Sequence, residues 1–75
     1  MGKYEKALRD GREIVVVSKW ENFNSAVFWF SGGMLFTFSR AFGVVPRSDI
    51  TFSDLEKHLL QMEKEGSVFI RGDAD

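Results

Sequence analysis

Cysteine is absent from the chain. That excludes disulfides and thiolate metal sites, and it fits a reducing, cytoplasmic setting. Proline occurs once, at Pro46, so most breaks in the pattern must come from glycine and polar clusters. No apolar run approaches the ~20 residues that a membrane span needs. The first residues, Met1-Gly2-Lys3-Tyr4-Glu5-Lys6, are charged and carry no apolar signal core. Gly2 does not start a myristoylation signal, because Lys6 stands where that motif wants Ser or Thr. An excess of one charge is missing as well. Ten basic and eleven acidic side chains are scattered along the sequence and leave a net charge of −1. Such a chain offers no electrostatic footprint to nucleic acid or to an anionic membrane, so neither is the expected partner.

Catalytic equipment is equally sparse. His58 is the only histidine, and with no cysteine and no second histidine it has no metal partner. Asp49 and Asp54 flank a helix start, where negative charge stabilises the helix dipole; acid–base chemistry is not needed to explain them. Ser31-Gly32-Gly33 lacks the lysine and the following helix of a phosphate-binding loop. Arg71-Gly72-Asp73 spells a cell-adhesion tripeptide, but no disulfide presents it in a loop. No catalytic, cofactor-binding or metal residue is assigned, and the chain reads as non-enzymatic.

What the chain does have is aromatic and β-branched. Eight phenylalanines in 75 residues argue for a packed structure rather than disorder. The length gives a single domain, residues 1–75. At this size roughly 60% of the unfolded surface is buried, so the core is modest.

The organising stretch is Val27-Phe28-Trp29-Phe30-Ser31-Gly32-Gly33-Met34-Leu35-Phe36-Thr37-Phe38. It reads as two strands joined by a Gly-Gly turn, since glycine accepts the positive φ angles that tight hairpins need. Alternation puts Val27, Trp29, Met34, Phe36 and Phe38 on one face. Phe28, Phe30 and Leu35 take the other, with the smaller Ala26, Thr37 and Ser39. Half-exposed antiparallel sheets usually keep one polar face. Here both faces are apolar.

Residues 3–10 predict a short helix, with Tyr4, Ala7 and Leu8 at helical spacing and Gly11 as its stop. Residues 13–20 predict the first strand. If Glu21-Asn22-Phe23-Asn24 closes a four-residue loop, Val16 falls opposite Trp29 and Val15 opposite Phe30. That register puts Ile14, Val16 and Trp20 on the Trp29 face. It puts Val15 and Val17 beside Phe28, Phe30 and Leu35. Residues 41–49, with Gly43 and Pro46, read as a loop.

A second helix is expected over residues 52–65. Ser53 with Glu56 makes a capping box, and Thr51 with Asp54 is the neighbouring alternative. Phe52, Leu55, Leu59 and Met62 form its apolar stripe. Gly66 ends it, Ser67–Arg71 is a last strand, and residues 72–75 form a tail that frays. The predicted fold is α+β in the order α-β-β-β-α-β. It is an antiparallel three-stranded meander plus a fourth strand, with the second helix packed on one sheet face. The Trp29 face is the one that helix is expected to cover. The last strand is expected to return parallel to the first or the third.

These placements single out the Phe30 face. The first helix offers only Tyr4, Ala7 and Leu8 to cover Val15, Val17, Phe28, Phe30 and Leu35. An apolar patch left open marks a contact surface, and aromatic residues are favoured at interface centres. Phe23, in the loop beside it, is a candidate rim anchor. The expected function is therefore a small protein-binding module that masks another protein. A phage or other mobile element encoding an inhibitor of host machinery would use a chain of this kind. A homodimer through the same face would close the patch equally well. The competing reading is a nucleic-acid-associated protein using Trp20, Phe23, Arg40 and Arg47, since stacking plus a few cations holds single strands. The element order resembles that of double-stranded-RNA-binding domains. The second helix, however, begins Phe52-Ser53-Asp54-Leu55-Glu56, which repels phosphate.

Overall fold

The computed structural model describes residues 2–17 and 25–72. Its elements are α1 (Lys3–Arg9), β1 (Glu13–Val17), β2 (Ser25–Ser31), β3 (Met34–Ser39), β4 (Gly43–Arg47), α2 (Phe52–Glu63) and β5 (Val68–Arg71). The strands form one antiparallel sheet in the order β4-β3-β2-β1-β5. The fold is α+β, with α1 and α2 layered on one side of the sheet.

The β2–β3 hairpin has the expected pairing. Phe30 lies opposite Leu35 and Trp29 opposite Phe36. Gly32 and Gly33 take φ angles of +59° and +80°, the geometry of the twisted two-residue turn. β4 occupies residues read as loop. Proline is confined to strand edges in a sheet, and β4 is such an edge, so Pro46 does not prevent it.

That additional strand reverses the direction of the last one. Strands β1 to β4 alternate, so β4 runs opposite to β1. α2 then carries the chain across the sheet to the far edge, where β5 runs antiparallel to β1. The expected parallel return is thereby corrected. Ser67 lies just before β5, and its carbonyl accepts the Val17 N–H at 2.8 Å, extending that ladder.

The register of β1 also differs. Val15 pairs with Val27 and Ile14 with Phe28. Relative to the expected partner, Phe30, the shift is three positions along β2. An odd shift exchanges the faces of every side chain. Ile14 and Val16 therefore join Phe28, Phe30 and Leu35, while Val15 and Val17 move to the Trp29 face. Trp20, also placed by that register, lies outside the described residues.

The helices cover the Phe30 face, not the Trp29 face. Tyr4, Ala7 and Leu8 of α1 and Leu55 and Leu59 of α2 are buried against Ile14 and Leu35. Val16, Phe28, Phe30, Val68 and Ile70 pack around them, and the register puts all of these strand residues on that one face.

α1 has seven residues, too few to persist alone. It is held by α2. The backbone N–H groups of Tyr4 and Glu5 donate to the Glu56 carboxylate at 3.3 and 2.9 Å. The Tyr4 hydroxyl donates to Glu63, which also pairs with Lys3. Burial, and then the Glu63 and Glu56 carboxylates, push the Tyr4 phenol well above its ordinary range. At the start of α2, the Thr51 hydroxyl accepts the Asp54 N–H at 3.1 Å. Thr51 is thus the cap, and Glu56 is free to cap the other helix.

Candidate functional site: the open face of the sheet

The face opposite the helices carries no helix layer among the described residues. Its side chains follow from the register. Val44 lies opposite Phe38, Phe38 opposite Val27, Val27 opposite Val15, and Val15 opposite Phe69. This is an unbroken apolar row across all five strands. A second row beside it holds Pro46, Phe36 and Trp29. The Trp29 and Phe36 rings stack with centroids 5.7 Å apart and an interplanar angle of 15°. Cross-strand aromatic pairs of this kind stiffen a sheet surface.

The row is open to solvent at both ends. Phe38 is 45%, Val44 58% and Phe69 56% exposed. Alternation also puts Glu13 and Arg71 on this face. They lie opposite one another, and the Arg71 guanidinium donates to Glu13 Oε1 at 2.7 and 2.8 Å. The pair is neutral and sits at one corner, leaving the row itself without charge.

The residues predicted to bind a partner do not share this surface. Val15 and Val17 lie on it, half-buried. Phe28, Phe30 and Leu35 lie on the helix side, with Leu35 only 6% exposed. The Phe30 ring packs 5.2 Å from that of Phe52, and the Arg9 guanidinium sits over Phe52 at 4.5 Å. Phe23 and Trp20 lie outside the described residues. Of the two arginines in the nucleic-acid reading, Arg40 is exposed. Arg47 is engaged by Asp49 at 2.9 and 3.2 Å. That bond, followed by the backbone N–H of Asp49 itself, holds the Asp49 carboxyl below its usual range.

Phe38, Val44 and Phe69 were not singled out by sequence reasoning. Phe38 was placed on the correct face but assigned a helix for cover. Val44 lay in a presumed loop. Phe69 is legible only through alternation within Ser67–Arg71.

On the helix side, the described residues leave one corner of the sheet uncovered by either helix. Ala26, Thr37 and Ser39 floor a hollow of about 360 Å³, with Phe42, 81% exposed, at its rim. His58 is exposed and borders a neighbouring hollow with Asp54 and Arg47. Among the described residues, no group of three or more His, Cys, Asp or Glu could hold a metal ion. None of their helices is long and apolar enough to cross a membrane. Comparison with protein-family models, with curated proteins and with solved structures gives no match to this chain.

Proposed function

We propose that the chain is a non-enzymatic protein-binding module that masks a surface of another protein with the open face of its sheet. The supporting observation is the uncharged row Val44, Phe38, Val27, Val15 and Phe69, which runs the full width of the sheet. Monomers seldom leave contiguous apolar patches beyond a few hundred Å² exposed without a use. Large rings supported by stacked neighbours lose little side-chain entropy on docking, which favours them as binding anchors. Small size and a single adhesive face support the finer reading, an inhibitor of host machinery carried by a phage or mobile element.

The test compares immobilised wild-type protein with Phe38→Asp as baits in a host lysate. Phe38 is half-exposed and outside the core, so the variant should keep its circular dichroism. Loss of a discrete wild-type partner from the Phe38→Asp bait is the expected result. Identical capture by both baits overturns the masking face. A substitution at Phe30 would not report on this face, because Phe30 packs beneath α2.

A further inference from the structure

We infer that a second copy of this chain occupies the open face when no other protein does, forming a reversible face-to-face dimer about a two-fold axis running along β2. This rests on reading the face as a docking surface.

The row is complementary to itself. A two-fold axis along β2 reverses the strand order of the second copy. Val44 of one copy then faces Phe69 of the second, Phe38 faces Val15, and Val27 faces Val27. Each phenylalanine of this row meets a valine, so large side chains enter the spaces above small ones there. In the neighbouring row the same axis sets Trp29 against Trp29, Phe36 against Glu13 and Pro46 against Arg71. The axis runs along the strands, so the two sheets stack aligned, about 10 Å apart. Any other strand overlay sets at least one phenylalanine of the row against a phenylalanine or past the sheet edge.

Charge permits the same overlay. Among the described strand residues of the face, the charged side chains are Glu13 and Arg71, and they already neutralise each other. A second copy therefore brings no like charge against the first. An unrelated surface bearing unpaired charges would lose hydration there without compensation.

Area fixes the character of the dimer. Five strands about 4.8 Å apart, each about five residues of ~3.3 Å, give a plane of roughly 400 Å². Two copies then bury roughly 800 Å² in total, below the size of a stable interface and in the range of weak, transient contacts. A dimer of that size exchanges readily, so dimerisation and masking of another protein exclude one another without being permanent.

The experiment is light scattering across a concentration series, read together with the emission of Trp29 in a Trp20→Phe background. Mass is expected to rise from one copy towards two. Trp29 emission is expected to shift to the blue over the same range, because its ring lies beside the buried row. Phe38→Asp should weaken association at least about tenfold. Phe38→Val and Val15→Phe should each weaken it, and the double variant should recover much of the loss, because it exchanges the large and small partners.

A wild-type chain that stays monomeric throughout overturns the dimer alone, provided that lysate capture still depends on Phe38. A dimer that persists in Phe38→Asp but dissociates in Leu60→Asp, altered on the exposed side of α2, overturns the inference by locating association on the helix layer. A dimer lost in Phe38→Asp but not restored by the exchange overturns the two-fold register.

Discussion

Gly2 shows how a single missing side chain can organise two helices. It stands at the N-cap of α1 and contributes no side-chain cap of its own. A Cβ there would overlap the Glu56 carboxyl carbon, closer than real atoms approach. The carboxylate takes that space and caps α1 from a distance. Gly2→Ala should therefore displace Glu56 and strand the Tyr4 and Glu5 N–H groups, costing about 1 kcal/mol. A urea melt checks this, and unchanged stability would remove Glu56 as the cap.

Next to it, the Lys3, Tyr4 and Glu63 cluster sets two pH limits. Lys3, and then the Tyr4 hydroxyl, hold the Glu63 carboxyl below its ordinary value of 4.5. Its stabilisation is thus fully present above about pH 4.5 and is lost as pH falls through the lowered folded value. Tyr4 behaves in the opposite sense. Its raised folded value means that stability is intact below the ordinary phenol value of 10.0 and declines as pH rises beyond it. Tyr4→Phe should remove most of the alkaline loss and move the acid midpoint upward. Thermal melts of both proteins across the pH range report each limit.

Among the elements, the β2–β3 hairpin was legible because its register is local. Two glycines close the turn, and every pair beyond follows from it. α2 was legible for a similar reason, since Leu55 and Leu59 lie one turn apart behind the Thr51 cap. β1 was not, because its register depends on the connection between Val17 and Ser25 rather than on its own residues. A run such as Ile14-Val15-Val16-Val17 is apolar in both phases and accepts either. β4 was missed because Gly43 and Pro46 are loop signals in the middle of a sheet but not at its edge. Once β1 changed phase, the candidate site divided: Val15 and Val17 remained accessible, while Phe28, Phe30 and Leu35 became core. Phe30→Ala should therefore lower stability by about 2 kcal/mol, somewhat less than for a fully buried ring. The same truncation at Phe38 should change stability far less and association far more. Chemical denaturation of the pair separates the two roles.

For the whole molecule, the decisive property is a sheet with a helix layer on one side and an apolar face on the other that no described element covers. Its net charge of −1 gives no long-range steering. Association through the open face should therefore resist salt. Raising sodium chloride to about 1 M should leave it intact, and sulfate should strengthen it, because excluded salts favour apolar burial. Light scattering at two ionic strengths checks this. Dissociation in high salt would transfer the contact to charged groups such as Arg40.

The crossover from β4 to β5 through α2 also governs the order in which the chain can fold. The β2–β3 hairpin needs only neighbouring residues and can form early. α1 and β1 leave the ribosome before the elements they pack against, yet they finish after them. α1 waits for Glu56 and Glu63 to close its N-terminus, and the outer edge of β1 waits for Val68–Arg71 to pair with it. Until then β1 offers a bare β-branched edge, and the nascent chain has two sticky sides rather than one. Loop-closure entropy thus falls on the elements made before their partners, and their window of greatest exposure ends only as β5 docks.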